Sequence, residues 1–220
     1  MTPEQRPDIA SSGVAGIILA AGSSKRLGQP KQLLPLSGRP MIHWSVAAAL
    51  DSHLAMIIVV TGSRGSEVSS ALLSGLPPED RLTIVANPRH RDGQSTSIAA
   101  GLAALAGWHC RAVMFLLADQ PFVGADHINR LLDCGPLLPE TIRVSSPDAG
   151  AWRPPVLIGR AYFGRLAGLK GDRGARQVVE RFADNADTVS LPDSRRLMDI
   201  DTPEDYRLAL KISETLIDRD

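Results

Sequence analysis

The amino-acid sequence predicts an α/β fold: a doubly wound, mostly parallel sheet with helices on both faces. Three observations predict it. Four short runs, VAGIILA, AMIIVVTG, RLTIVAN and RAVMFLLAD, are largely apolar along their whole length, as strands covered on both sides are. Segments with amphipathic or small-residue helical patterning separate these runs, which suits the crossover connections of a parallel sheet. The 220 residues are 44% apolar, enough for one sizeable core.

Taken in order, residues 1–12 are polar and small and read as a loose tail, and 13–220 read as a single domain. After the first run a helix is expected from about Pro40, where Ile42, Val46 and Leu50 recur at near-helical spacing. Ser66 to Leu76, Thr96 to Leu105 and Ala125 to Leu132 are the next helices, and the small residues of the Thr96 segment allow close approach to the sheet. From about Gly135 the pattern loosens. A strand is expected near Thr141 to Ser145, and Arg153 to Ile158 reads as an edge strand or a strand after a proline turn, because Pro154 and Pro155 argue against a central position. A helix follows from Gly174 to Phe182. In the closing DIDTPEDYRLALKISETLI, Thr202 is the expected N-cap, Pro203 the first helical residue and Asp205 the third position after the cap, with Leu208, Ile212 and Leu216 as the buried stripe. No internal repeat or low-complexity segment interrupts the chain.

The 24 Lys and Arg balance the 24 Asp and Glu, which argues against a broad basic face for nucleic acid or an anionic membrane. Any anion site is therefore local. Cys110 and Cys134 lie in or beside apolar segments without CxxC spacing and are expected to be buried, inert thiols. MTPEQRPDIASSG lacks the charged and apolar regions of a signal peptide, and no apolar run approaches the ~20 residues of a membrane span, so the cytoplasm is the expected location. The five histidines show no metal-ligand spacing and read as structural or solvated, with His90 lying in the candidate base loop.

Ligands of open α/β sheets bind beyond the carboxyl ends of the strands, so the segments after the runs carry the candidate chemistry. LAAGSSKRLGQPKQLLPL, which follows the first run, has the wrong glycine spacing for a Walker loop. Its Ala20, Ala21 and Gly22 let a ligand approach the backbone, Ser23 and Ser24 add hydroxyls, and Arg26 and Lys31 can neutralise phosphates. The loop thus suits a triphosphate, or else is a solvated surface loop with scattered cations. Asp119 ends the apolar run VMFLLA, as a turn or cap residue or as a Mg²⁺ ligand, since Mg²⁺ takes one or two carboxylates together with substrate phosphates. Asp199 and Asp201 alternate along an extended segment and should face opposite ways. Asn87, Gly93, Gln94, Ser95 and Ser97 run from a loop into a helix and can read a base edge or a ribose, or simply cap that helix. No Ser-His-Asp order or nucleophile elbow is present.

These stretches together resemble a known family. LAAGSSKRLGQPKQLLP closely resembles the LAAGxSxRxGxxKxLLP signature of the MobA-like nucleotidyltransferases, with Ser24, Arg26, Gly28 and Lys31 on its fixed positions and Leu27 in place of a frequent Met. LLADQPFV resembles the family's metal-binding strand end, NPRHRDGQSTSI its nucleotide loop, GDRGAR a segment typical of the molybdenum cofactor cytidylyltransferase branch, and DIDTPEDY its closing motif. The likeness runs from about Val14 to about Tyr206.

The resemblance implies a Rossmann-like fold and a Mg²⁺-dependent attack of a phosphate monoester on the α-phosphate of a nucleoside triphosphate, releasing pyrophosphate. Carried over by position, Leu19, Ala20, Ala21, Gly22, Ser23, Ser24, Asn87, Gly93, Gln94 and Ser97 would bind the nucleotide. Arg26 and Lys31 would hold phosphates, and Asp119 and Asp201 the metal, with Asp199 in reserve. The nucleotide half would cover about 13–123 and the acceptor half about 124–220. Ala21 favours CTP, because the guanylyl branch usually carries LAGG. The implied acceptor is molybdopterin or the molybdenum cofactor, made into its cytosine dinucleotide for xanthine dehydrogenase-type enzymes, with transient contact to a molybdoenzyme or its chaperone. Arg153, Arg173 and Arg176 are candidates for the acceptor phosphate. Gly150 to Leu157 reads GAWRPPVL where the branch often has GxxGNPVLF or GxxGHPVLF, so Arg153 and Pro154 leave other acceptors open: methylerythritol phosphate, a sugar phosphate or choline phosphate. A GTP-using guanylyltransferase and a non-catalytic cofactor chaperone are the remaining alternatives.

Overall fold

The computed structural model describes residues 13–22, 27–62, 64–148, 151–191 and 193–216. The expected tail and the loop residues Ser23, Ser24 and Arg26 lie outside the described residues. In chain order the elements are β1 (Val14–Ala20), β2 (Pro35–Leu36), β3 (Arg39–Pro40), α1 (Met41–Leu50), β4 (Met56–Thr61), α2 (Gly65–Gly75), β5 (Leu82–Ala86), α3 (Gln94–Ala104), β6 (Ala112–Leu117) and α4 (Ala125–Asp133). There follow β7 (Ile142–Asp148), β8 (Ala151–Gly159), α5 (Phe163–Ala167), α6 (Arg176–Arg181), β9 (Ala186–Ser190) and α7 (Pro203–Leu216).

Among the described residues seven strands form one sheet in the order β5-β4-β1-β6-β8-β7-β9. The first four are mutually parallel, β8 runs antiparallel to both β6 and β7, and β9 is parallel to β7. Strand alternation divides the core between the two faces. Ile18, Ile57, Val59, Met114 and Leu157 meet Val46 of α1, Leu72 of α2 and Ile128 of α4 on one side. Ile17, Ile58, Val60, Val113 and Phe115 meet Ile98 of α3 and Val178 and Val179 of α6 on the other. Small residues set the spacing as expected: a Cβ on Gly101 of α3 would lie 2.7 Å from Ile17 Cγ2.

Three expectations need correction. The segment with Pro154 and Pro155 is not an edge strand, because β8 lies between β6 and β7. The sheet tolerates the prolines because β6 pairing ends at Phe115 opposite Val156, while β7 pairing jumps from Val144–Val156 to Ser145–Arg153. Both prolines thus occupy a bulge where no ladder hydrogen bond is required of them. On α7 the Thr202 cap holds: its Oγ1 accepts from the Asp205 N–H at 3.1 Å, and Asp205 Oδ2 accepts from the Thr202 N–H at 2.8 Å. The buried stripe, however, is Tyr206, Ala209 and Ile212, while Leu208 is exposed. Finally, Cys110 is buried and its thiol is pushed up by burial, but Cys134, just past α4, is exposed.

The bulge is braced from below. Ser145 Oγ donates to the Pro155 carbonyl at 2.8 Å, so the hydroxyl is left to accept from His127 Nε2, also at 2.8 Å. That bond assigns the Nε2–H tautomer and leaves the buried Nδ1 without a partner. Burial, with Arg130 and Arg196 nearby and only Asp126 opposing, lowers the His127 pKa from 6.5 to about 4. An unfolded chain therefore gains a proton below about pH 6.5 that the folded chain refuses until about pH 4, and stability falls across that window. Between about pH 7.5 and about pH 5 the loss should be about 2 kcal/mol, read from urea midpoints. His127→Gln should flatten that acid limb, and an unchanged limb would show that His127 does not cause it.

Candidate active site

Three loops at the carboxyl end of the parallel strands are pinned to one another by apolar contacts. Leu34 and Leu36 follow Lys31, Phe122 follows Asp119, and Ile200 separates Asp199 from Asp201; these four pack with Met41 and Ala209 in one buried cluster. A backbone bond completes the tie, the Ile200 N–H donating to the Asp119 carbonyl at 3.0 Å, and within its own segment the Asp201 N–H donates to Asp205 Oδ2 at 3.2 Å. Lys31 opens a short 3₁₀ turn after Pro30, and Gln32 beside it is buried. Gln32 Nε2 donates to the Ala20 and Gly22 carbonyls at 2.9 and 3.2 Å, holding the start of the glycine-containing loop. Gly62 lies so close behind that a Cβ there would meet the Ala21 carbonyl at 2.7 Å.

Charge converges where these loops meet. The Lys31 side chain, 11% exposed, donates to the Asp119 carboxylate and, at 2.6 Å, to Asp201 Oδ1. Burial alone would lower its pKa, but the two carboxylates outweigh burial and hold it above the ordinary lysine value. Asp199 is bonded by Gln120 and Arg153. Its Oδ1 accepts from Gln120 Nε2 at 2.9 Å and its Oδ2 lies 3.3 Å from Arg153 Nη1. Burial, then the charge of Asp119, raises the Asp199 pKa to about 6, against the pull of Arg153 and Gln120. Gln120 also donates to the Leu197 carbonyl at 3.3 Å, which fixes the segment leading into Asp199.

A second group forms where α3 begins. Asn87 is buried, and its amide is taken up inside its own loop: Nδ2 donates to Thr96 Oγ1 and Ser97 Oγ at 2.9 and 3.0 Å, while Oδ1 accepts from the Arg89 N–H at 2.9 Å. Asn87 and Ser97 are bonded within the loop, and Gln94 is exposed on it beside Arg89, Arg91 and Asp92. Gly93 has φ +112°, and a Cβ there would sit 2.1 Å from the Gly171 backbone, so only glycine fits. The Ser95 N–H donates to the Gly171 carbonyl at 3.1 Å, and a Cβ on Gly174 would strike Gln94 Oε1. The GDRGAR segment is thereby docked on the start of α3. Arg173 is exposed there, and Arg176 bonds Glu180 at 2.7 Å and lies over the Trp152 ring. Of the expected site residues, Lys31, Asp119 and Asp201 come together directly, with Arg153 joined through Asp199. Leu19 and Ala20 close β1 beneath the loop. The supporting residues Gln32, Gln120 and Asp205 were not anticipated as site residues; a glutamine flanked by apolar residues beside a charged one was the available signal for the first two.

A basic, small-residue loop after β1, aspartates at the end of β6 and before α7, and a lysine gripped between them are the working parts of a nucleotidyltransferase. The chain belongs to the family of the MobA-like NTP transferase domain, whose model matches residues 16–188. It is 37% identical over 194 residues to the purine catabolism protein PucB of Bacillus subtilis, covering 87% of this chain and 93% of that one. It is 28% identical over 199 residues to the molybdenum cofactor cytidylyltransferase of Escherichia coli, covering 89% and 94%. Among solved structures it is similar to Rv0371c of Mycobacterium tuberculosis, with a TM-score of 0.77 and 29% identity over 92% of this chain and all of that one. A manganese complex of Rv0371c matches with a TM-score of 0.72 and 26% identity over 90% and 98%. Among the described residues no helix is long and apolar enough to cross a membrane.

Proposed function

We propose that this nucleotidyltransferase moves CMP from CTP to the terminal phosphate of molybdopterin or the molybdenum cofactor, in the cytoplasm, with a divalent metal, Mg²⁺, at Asp119 and Asp201. The observation that carries the reading is the single ammonium of Lys31 shared by carboxylates from two different loops. Two carboxylates that already converge on one cationic group suit a hard divalent ion completed by water and phosphate oxygens. The metal would supply neutralisation of charge building on the α-phosphate and its leaving pyrophosphate. Lys31 and Arg26 would hold phosphates, the backbone from Leu19 to Ser24 would follow the nucleotide, and Gly93 and Gln94 would meet its base or ribose. In-line transfer needs this positioning and charge neutralisation rather than a covalent nucleophile.

CTP is supported by Ala21 and by the cytidylyltransferase among the relatives; the metal is supported by the manganese complex of Rv0371c. A relative named for purine catabolism supports delivery, directly or through a chaperone, to a xanthine dehydrogenase-type enzyme. The division into a nucleotide half, about 13–123, and an acceptor half, about 124–220, belongs to the same proposal. The proline bulge of β8, with Arg153 in it, favours one second reading, transfer to a different phosphorylated acceptor. Pyrophosphate release, assayed with each of four nucleoside triphosphates against molybdenum cofactor, methylerythritol phosphate, a sugar phosphate and choline phosphate, separates them. Release with CTP, Mg²⁺ and molybdenum cofactor is expected. Release only with another acceptor or nucleotide would replace this reading, and tight cofactor binding without any release would mark a chaperone.

A further inference from the structure

Arg153 stands at a particular side of the charge centre. In the sheet order, β1 and its loop flank β6 on one side and β8 flanks it on the other. β8 runs antiparallel to β6, so its start lies beside the end of β6 that leads into Asp119, and their pairing stops at Phe115–Val156. Arg153 therefore stands across β6 from β1 and its loop, and its guanidinium reaches the charge cluster at Asp199. In-line displacement needs its attacking phosphate on that opposite side. Arg173 and Arg176 are placed otherwise: their segment is docked on the start of α3, where the Ser95 N–H meets the Gly171 carbonyl.

Arg153 is also held loosely. A single Nη1 contact of 3.3 Å joins it to Asp199 Oδ2, with the two side chains 50% and 37% exposed. Exposed, one-pronged pairs of this kind contribute little, whereas a phosphate monoester offers a guanidinium two parallel, charge-assisted bonds. Asp199 itself is fixed by Gln120, and the bulge that carries Arg153 is fixed through Pro155, Ser145 and His127. Both partners thus have firm anchors and a weak bond between them.

We infer that Arg153 is the residue that receives the acceptor's attacking phosphate, and that Asp199 is a positioning residue that holds the guanidinium beside the carboxylates until that phosphate displaces it. The inference deepens the nucleotidyl-transfer reading and rests on it, without depending on which acceptor or nucleotide is used. It makes opposite predictions for the two partners. Arg153→Ala should raise the acceptor KM about tenfold with the nucleotide KM held within about twofold, and Arg153→Lys should recover only part of the loss because lysine lacks the fork. Asp199→Asn should lower the acceptor KM several-fold, and should do nothing further in an Arg153→Ala background.

Binding is read separately by titrating methyl phosphate into protein loaded with Mg²⁺ and a non-hydrolysable analogue of whichever nucleotide the pyrophosphate assay selects. Methyl phosphate should weaken about tenfold in Arg153→Ala and tighten in Asp199→Asn. Equal binding to wild type and Arg153→Ala would overturn the inference. So would tightening by Asp199→Asn that persists without Arg153, which would make Asp199 a general repulsive charge, or loss of transfer in Asp199→Asn with methyl phosphate binding unchanged. Failure of the CTP and molybdenum cofactor assignment would appear in the pyrophosphate assay and leave these titrations readable.

Discussion

Lys31→Met is expected to slow nucleotidyl transfer by at least about a hundredfold while making the protein without nucleotide a better binder of Mn²⁺ by about tenfold. The two effects have one cause. The lysine ammonium lies between the Asp119 and Asp201 carboxylates, where it both neutralises them and occupies the space a divalent ion would enter. Methionine keeps the length of the buried stem and removes the charge that Asp119 and Asp201 share. The protein should accordingly melt lower in chelator and regain much of the difference in Mn²⁺, by the ordinary linkage of ligand binding to folding. On the proposed reading, a triphosphate would draw Lys31 onto its phosphates and release Asp119 and Asp201 to hold the metal, so metal and nucleotide should each tighten the other's binding. Electron paramagnetic resonance titration of Mn²⁺, with and without nucleotide, reads both statements. Unchanged turnover together with unchanged Mn²⁺ affinity would return Lys31 to the status of a structural ion-pair residue.

The parts of this molecule that were legible in the sequence are those where one chemical pressure dominates. β1, β4 and β6 are apolar on successive positions because helices cover both faces, and their ends fix where Asp119 and the first loop must lie. Lys31 and Asp119 stand out because charge beside such runs is poorly explained by burial alone. What was hidden depends on competition between contacts far apart in the chain. Pro154 and Pro155 argue locally against an interior strand, but pairing on both flanks changes at Val156 and leaves the prolines nothing to donate. Helix α7 carries leucines on more than one face, and composition does not choose between them. The face that docks is the one whose Ala209 packs with Leu34, Leu36, Phe122 and Ile200 from other loops, which leaves Leu208 out. Asn87 is bonded by Thr96, Ser97 and Arg89, partners that its own loop brings round and that no local pattern announces. Gln32 and Gln120 bond mainly to main-chain carbonyls that only the assembled loops place in reach.

Asp119→Asn tests whether the carboxylate at the end of β6 is chemical or merely a turn residue. The substitution is isosteric, and the main-chain carbonyl of residue 119 still accepts from the Ile200 N–H, so the loops joined by Leu34, Phe122 and Ile200 should stay assembled. Activity should nevertheless fall by at least about a thousandfold, because an amide neither holds a hard divalent ion well nor neutralises charge at the α-phosphate. A second readout follows from electrostatics alone. The Asp119 charge helps to hold the Asp199 pKa up at about 6, after burial, and it is also the strongest of the interactions that raise Lys31. Removing it should move both pKa values down, Asp199 toward the ordinary carboxylate range and Lys31 toward its ordinary value, each followed by NMR of the titrating side chain. The sign matters: for Asp199 a lost neighbouring negative charge favours its ionised form, whereas for Lys31 the same loss disfavours the charged form. A variant that folds, shows both downward shifts and keeps full metal-dependent turnover would place Asp119 inside the charge cluster but outside the reaction, and the metal would then have to be held from Asp201 and Asp199.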